Sequence, residues 1–405
     1  MKKNILVGQS GGPTAVINAS LCGVIQEGMA HPDQVGAVYG MVHGIEGFLS
    51  DQYMNLSELS PADLALLKLT PAAYLGSCRY KLPEDFSSVF YPTIFEKLEK
   101  LNIGYFFYIG GNDSMDTVSK LSRYAGHVGS DIRFIGIPKT IDNDLIETDH
   151  TPGYASAAKY VASTVREIVL DSSVYQQKAV TIVEIMGRHA GWLTAASVLA
   201  RKHELDNPLL IYLPESDFDM QEFAHDLERC LEKQPNVIVC VSEGISDVAG
   251  KFICEYGDEA QVDNFGHKML TGCGKVLENF IRHHFGIKVR SVELNVSQRC
   301  SGMVASMTDI EEAAQAGREG VLAALRGLTG RMIAFSRTSS APYNMVCTDV
   351  DVNEVCNQEK AFPADWITYH GTNIGPEFYD YAVPLIQGEA ERVMKDGVPV
   401  YLFRK

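Results

Sequence analysis

The sequence predicts an α/β protein with two lobes, each built on a largely parallel sheet, around a cleft, plus a C-terminal extension. Three observations carry that expectation. Short, near-continuous apolar runs alternate with helical stretches, the pattern of parallel strands covered on both faces. The runs end in turns bearing Gly, Asp, Asn, Lys or Arg, and in such sheets ligands bind beyond the carboxyl ends of the strands. The 405 residues, 46% apolar and 21% charged, suffice for two cores.

Taken in order, "NILVG" leads through "QSGGPT" into the helix "AVINASLCGVIQEGM". "GYFFYIG" leads through "GNDS" into "MDTVSKLSRYAG", and "RFIGIP" into the turn "KTIDND". Near "TDHTPGY" (Thr148 to Tyr154) Pro152-Gly153 interrupts a polar segment, so the first lobe is expected over 1–150 and the second over 151–270. The second lobe would open with the helix "YASAAKYVASTVREIVLDSS". It continues with "AVTIVEIM", the turn "GRHAG" and the helix "WLTAASVLARK", then the strands "PLLIYLPE" and "NVIVCVSEG"; "KVRSVELN" adds a further strand beyond it. A return to the first lobe is expected over about 270–340, and 341–405 reads as a loopier extension ending in the helix "PEFYDYAVPLIQGEAERVMKD".

Composition removes several function classes. A net charge of −16 argues against non-specific nucleic-acid binding, so any site for anionic substrates must be made locally from converging Arg and Lys. The nine cysteines form no C-x-x-C and no zinc spacing, and read as reduced thiols of a cytoplasmic protein. "MKKNILVGQS" reads as a first strand rather than a signal peptide, and no apolar run approaches the roughly 18 residues that span a membrane.

The turns supply the chemistry. In "PKTIDND", Asp142 and Asp144 at one strand end suit a general base and a metal ligand, while Lys139 and Thr140 suit phosphate oxygens; an Asx-rich turn without chemistry is the bland alternative. "GGNDS" presents bare backbone N–H groups at a helix start, as phosphate sites do, yet carries the carboxylate of Asp113. Gly11-Gly12 is a weaker signal, and neither G-x-G-x-x-G nor a Walker loop occurs. Arg79 and Lys81, after a Gly-Ser turn, read in isolation as a solvated basic pair, while Arg188 and Arg299 follow strands, positions suited to anion clamps; Glu243 suits a sugar hydroxyl or a helix cap. His189 reads as a cap or packing residue.

Together, "SGGPTAVIN", "LGSCR", "GGNDS", "PKTIDNDL", "TPGY", "VEIMGR", "SEG" and "QR" resemble the phosphofructokinase family, in family order over about residues 3 to 340. The resemblance implies two Rossmann-like lobes and a magnesium-dependent, cytoplasmic homodimer or homotetramer of glycolysis and gluconeogenesis, without nucleic-acid or membrane partners. Asp142 is implied as the base toward the sugar 1-hydroxyl, supported by Thr140 and Asp144. Gly11, Gly12, Arg79, Lys139 and Ser114 are implied to hold the donor phosphate, with Arg188 neutralising the group in flight. Ile141, Met186, Gly187, Glu243, Arg290, Val296 and Arg299 are implied, with Thr140, Asp142 and Arg188, to bind fructose 6-phosphate. Asn112 and Asp144 are the implied Mg²⁺ positions. Glycolytic phosphorylation by pyrophosphate is favoured over ATP by two residues. ATP-using members have glycine where this chain has Asp113, and usually glycine where it has Lys139. Asp113 would stand where the α-phosphate of ATP must lie, and two charges about 4 Å apart at an effective dielectric near 20 repel by roughly 4 kcal/mol. Pyrophosphate ends short of that clash, and Lys139 is expected to offset Asp113 and bind the leaving phosphate. The alternatives are an ATP-dependent enzyme and a non-catalytic regulatory subunit.

Three departures from the family pattern stand out. Asn112 replaces a metal-binding Asp, Val296 replaces a His or Tyr, and Cys22 and Gln26 replace two effector-binding arginines. No regulation by ADP or phosphoenolpyruvate is therefore expected at the first helix.

Overall fold

The computed structural model describes residues 2–203, 205–257 and 272–404. Two sheets organise them. The larger has strand order β3-β2-β1-β4-β5-β10-β11, with β1 Lys3–Gln9, β2 Val35–Met41, β3 Tyr53–Asn55, β4 Ile103–Gly110, β5 Arg133–Pro138, β10 Arg331–Ser340 and β11 Tyr343–Asp351. The smaller has order β7-β8-β6-β9, from β6 Ala179–Ile185, β7 Leu210–Tyr212, β8 Asn236–Ser242 and β9 Lys288–Glu293. Pairing is parallel throughout the smaller sheet and in the centre of the larger one; only β3 and β11, at its two edges, run antiparallel to their neighbours. Burial explains the composition of the central strands. "VIVCV" of β8 is fully enclosed, as the continuous apolar run requires.

In the larger sheet the helices Ile17–Ala30 and Met307–Leu325 pack on one another through glycines. A Cβ on Gly23 would stand 2.0 Å from the carbonyl oxygen of Ala314, and one on Gly317 would stand 2.1 Å from that of Ser20. Close packing also buries Cys22, whose Sγ lies 3.5 Å from the Leu64 carbonyl, so the position where an effector-binding arginine was expected to be missing is interior.

The return to the first lobe comes later than the sequence suggested. β9 pairs with β6 over Ala179–Glu184, and the helix Cys273–Phe285 packs beside it, so the chain returns to the larger sheet first through the helix Met307–Leu325 and then as β10. Two other expectations also change. The segment from Tyr343 begins with a regular strand, whose alternating partly buried and exposed residues mark an edge rather than a core strand. The expected terminal helix is confined to Glu377–Ala382, because Pro384 and Gly388 stop it. The extension is not peripheral: Phe362, Ile374, Phe378 and Leu385 join Trp192, Leu193 and Ile211 in the core of the second lobe. "WLTAASVLARK" forms one short helical turn, Trp192–Ala195, followed by a 3₁₀ segment to Ala200. Among the described residues no helix is long and apolar enough to cross a membrane.

Candidate active site

The strand order reverses at β1, which pairs with β2 on one side and β4 on the other. A crevice opens at such a switch point, and here it is a cavity of about 620 Å³ reached by the turns after β1, β4 and β5. Register brings those turns level, Gln9 lying opposite Ile109 and Gly110 opposite Pro138. Gly11 has φ +73°, and a Cβ there would stand 3.3 Å from Lys139 Nζ, while one on Gly12 would stand 3.5 Å from Arg299 Nη1. Side chains in this turn would fill the space between two cations. The helix Asn112–Val128 begins after Gly111 with no side-chain cap; the Ser114 N–H donates to the Gly111 carbonyl at 2.9 Å, which leaves the Asn112 and Asp113 N–H groups for a ligand, and Asn112, Asp113 and Ser114 line the cavity. Asp113 is exposed there, whereas Ser114 is buried beneath it.

β5 delivers Lys139 and the carboxylate turn. The Lys139 ammonium donates to the Gly12 carbonyl at 2.7 Å; burial lowers its pKa to about 8, against the opposing pull of Asp142 and Asp144. Thr140 Oγ1 accepts from the Asp142 N–H at 3.1 Å and lies 3.4 Å from its Oδ2. The turn is tied to the lobe boundary by Thr151 Oγ1, which donates to the Thr140 carbonyl at 2.9 Å. Burial pushes Asp142 above the ordinary carboxylate range, with Lys139 opposing; burial and then the Asp142 charge push Asp144 up to about 7. A raised pKa suits a base that must take a proton from an alcohol.

A second cavity of about 210 Å³ lies on the other side of Asp142 and shares Gly12, Arg79, Lys139, Thr140 and Asp142 with the first. Pro13, Ile141, Met186, Glu243 and Arg299 complete its wall. In the second lobe β6 and β8 end level, Ile185 opposite Ser242, and the Glu243 N–H donates to the Ile185 carbonyl at 2.8 Å. Gly187 (φ +142°) lets its N–H approach Glu243 Oε1 at 3.4 Å, and Gly244 packs directly on the Arg188 backbone, where a Cβ would stand 1.9 Å from the Arg188 carbonyl oxygen. Burial raises Glu243 to about 7, with the Gly187 N–H opposing. Gln298, one residue before Arg299, accepts from the Met186 N–H at 3.2 Å and so joins the arginine's short helix to β6.

The donor set fits Mg²⁺. Asn112 Oδ1 and Asp144 Oδ1 are buried oxygens with no hydrogen-bond partner among the described residues, and both residues line the larger cavity. No group of three or more Asp, Glu, His or Cys among the described residues could hold a metal alone. That is what Mg²⁺ expects, since it is held by one or two protein oxygens and otherwise by water and substrate phosphates.

Two cavities meeting at one carboxylate, one walled by cations and helix N–H groups and the other by a glutamate and an arginine, suit phosphoryl transfer between two bound substrates. The phosphofructokinase family model matches residues 4–324. The chain belongs to the phosphofructokinase family. The pyrophosphate–fructose 6-phosphate 1-phosphotransferase of Methylococcus capsulatus is 38% identical over 403 residues, 99% of this chain and 95% of that protein. The enzyme of the same name from Xanthomonas campestris is 39% identical over 406 residues, 99% and 96% of the two chains. The pyrophosphate-dependent phosphofructokinase of Marinobacter aquaeolei superimposes with a TM-score of 0.89 at 37% identity, covering 98% of this chain and 95% of that one.

Not every residue implied by the phosphofructokinase resemblance reaches the cavities. Arg290 is exposed on edge strand β9, opposite Thr181 and well before the strand's carboxyl end, and lines a separate small cleft with Asp171, Tyr175 and Lys288. Val296 is 48% exposed and lines neither cavity. Lys139 does not pair with Asp113 as expected: its hydrogen bond goes to Gly12, and the carboxylates acting on it are Asp142 and Asp144. Asp113 lines the larger cavity without that pairing. Sequence reasoning also missed wall residues of the larger cavity. Asp116 lies one helical turn after Asn112, which a helix pattern could have shown; His189 is a wall residue rather than only a cap; and Glu359 arrives from the extension with no local motif to announce it.

Proposed function

We propose that this phosphofructokinase transfers a phosphoryl group reversibly from pyrophosphate to the 1-hydroxyl of fructose 6-phosphate, giving fructose 1,6-bisphosphate and phosphate. The observation that carries the choice of donor is Asp113 on the first turn of the cavity helix, exposed to the space that a nucleotide's α-phosphate would need. Pyrophosphate lies against Gly11, Gly12 and the helix N–H groups, with Arg79, Lys139 and Ser114 holding its oxygens. Asp142 takes the proton of the sugar hydroxyl, Thr140 orients that carboxylate, and Arg188 offsets charge on the moving group. Glu243, Met186, Gly187, Ile141 and Arg299 hold the sugar phosphate on the other side of the base. Positioning and charge stabilisation then supply most of the rate. Asn112 and Asp144 hold Mg²⁺, which when bound neutralises the phosphate charge.

Arg290 acts on the sugar phosphate of a neighbouring protomer in a homodimer or homotetramer, a role supported by its exposure on an edge strand away from its own chain's cavities. Mixed oligomers of two inactive variants, Asp142→Asn and Arg290→Ala, should regain activity by pairing intact halves. The nine unpaired cysteines fit the reducing cytoplasm. The reaction itself is tested by initial rates of the purified chain with Mg²⁺, fructose 6-phosphate and either donor. Robust turnover with pyrophosphate is expected; turnover with ATP and none with pyrophosphate would refute the proposal.

A further inference from the structure

The carboxylate turn is held from behind by the C-terminal extension, and we propose that Tyr381, acting through Asn143, is a positioning residue for the base Asp142. This rests on the role given to Asp142 above. Asn143 sits between Asp142 and Asp144, buried and with φ +56°. A left-handed backbone at a non-glycine residue persists when its surroundings over-determine it. Here the side-chain amide is engaged at both ends: Oδ1 accepts from the Thr151 N–H at 3.1 Å, and Nδ2 donates to Tyr381 Oη at 2.7 Å. The tyrosine hydroxyl in turn donates to the Asp149 carbonyl at 2.9 Å. One hydroxyl thus ties the catalytic turn to the lobe boundary.

The tyrosine is itself fixed. Its ring centroid lies 5.1 Å from that of Trp192 and 5.7 Å from that of Trp366, and the Arg337 guanidinium lies 4.8 Å from its centroid. Arg337 Nη1 also donates to the Tyr381 carbonyl at 2.9 Å. A second attachment comes from the same extension: the Lys360 N–H donates to the Asp144 carbonyl at 2.7 Å, while its ammonium donates to the carbonyls of Thr148 and Asp149 at 3.0 and 2.9 Å. Asn143 and Tyr381 line neither cavity, so their effect reaches the substrates only through the turn. A misplacement of about 1 Å at a reacting group costs on the order of 100-fold in rate.

The test is steady-state kinetics of the full chain carrying Tyr381→Phe, with Asn143→Ala and the double variant beside it. Tyr381→Phe should lower kcat about 10- to 100-fold while both KM values stay within about twofold. The double variant should lose no more kcat than Asn143→Ala alone, the non-additivity of residues acting in one chain. Tyr379→Phe is the structural comparison: it removes a hydroxyl from the same helix that donates to the Val198 carbonyl at 3.0 Å, away from the turn, and should lower Tm without lowering kcat. An unchanged kcat in Tyr381→Phe, additive losses in the double variant, or equal kcat losses in the two tyrosine variants would each overturn the positioning role. Wild-type enzyme inactive on pyrophosphate and fructose 6-phosphate would instead overturn the reaction assignment, and this role with it.

Discussion

The ammonium of Lys139 and the carbonyl of Gly12 are joined by a 2.7 Å hydrogen bond that ties the end of β5 to the end of β1. The Lys139 side chain is thereby fixed in the wall of the larger cavity, within reach of the space left by Gly11 and Gly12. Its burial lowers the pKa to about 8.

Replacing Lys139 with Met should lower kcat/KM for pyrophosphate by about 10²–10³, the usual cost of one preorganised charge at a transferring group. Lysine is cationic below its pKa, so wild-type kcat/KM for pyrophosphate should fall as pH rises through about 8. Lys139→Arg, cationic at any accessible pH, should lose that alkaline limb.

Asp142→Asn should lower kcat by about 10²–10⁴ with little change in fructose 6-phosphate binding, because the amide keeps the shape of the carboxylate and cannot accept the proton. Calorimetric titration of the sugar phosphate into the variant checks the second half of that outcome.

Glu243 gives a stability signature. Burial holds its folded pKa near 7, above the ordinary value of about 4.3. Between those two values the folded state keeps a proton that the unfolded state has released. Its contribution to stability therefore declines as pH rises from about 4 to 7. Substrate-free Glu243→Gln should melt higher than wild type at pH 8 and about equally at pH 4, while KM for fructose 6-phosphate rises. Melting curves at the two pH values measure it.

His150 behaves oppositely. Its ring nitrogens lie 2.8 Å from Asp149 Oδ1 and 2.7 Å from Glu312 Oε2. Burial alone would lower its pKa, but those two carboxylates outweigh burial and raise it. The stabilisation is complete below about pH 6.5 and is lost as pH rises through the folded value. His150→Ala should cost about 3–5 kcal/mol at pH 6, since it strips the buried Glu312 of its cation, leaving it, among the described residues, only the Tyr343 hydroxyl, while Asp149 keeps Arg337. Urea unfolding at pH 6 and 9 should show the gap between wild type and variant narrowing at the higher pH.

The sheets and the carboxylate turn were legible because both are local. Parallel strands buried on two faces spell continuous apolar runs, and "PKTIDND" places its lysine, threonine and aspartates within one strand end. What the sequence concealed depends on long-range packing. β11 alternates like any solvent-edged strand and carries no motif, and Glu359 and Tyr381 meet the catalytic turn only because the extension folds back over the second lobe. Arg290 was implied by the family resemblance to bind the sugar phosphate, yet the register of β9 against β6 leaves it well short of the strand end. Lys139 and Asp113 looked like a pair because family members change both positions; the fold instead gives the lysine a carbonyl and two other carboxylates.

The selection of the short donor by Asp113 is tested most directly by the ratio of kcat/KM for pyrophosphate to that for ATP in wild type and in Asp113→Gly/Lys139→Gly. The account predicts that ATP turnover emerges in the double variant and that, apart from the fall in the pyrophosphate value brought by loss of Lys139, kcat/KM for ATP itself rises by at least about 10²-fold, the equivalent of roughly 3 of the 4 kcal/mol of repulsion removed. ATP turnover that stays undetectable in a folded double variant still able to bind fructose 6-phosphate would contradict it.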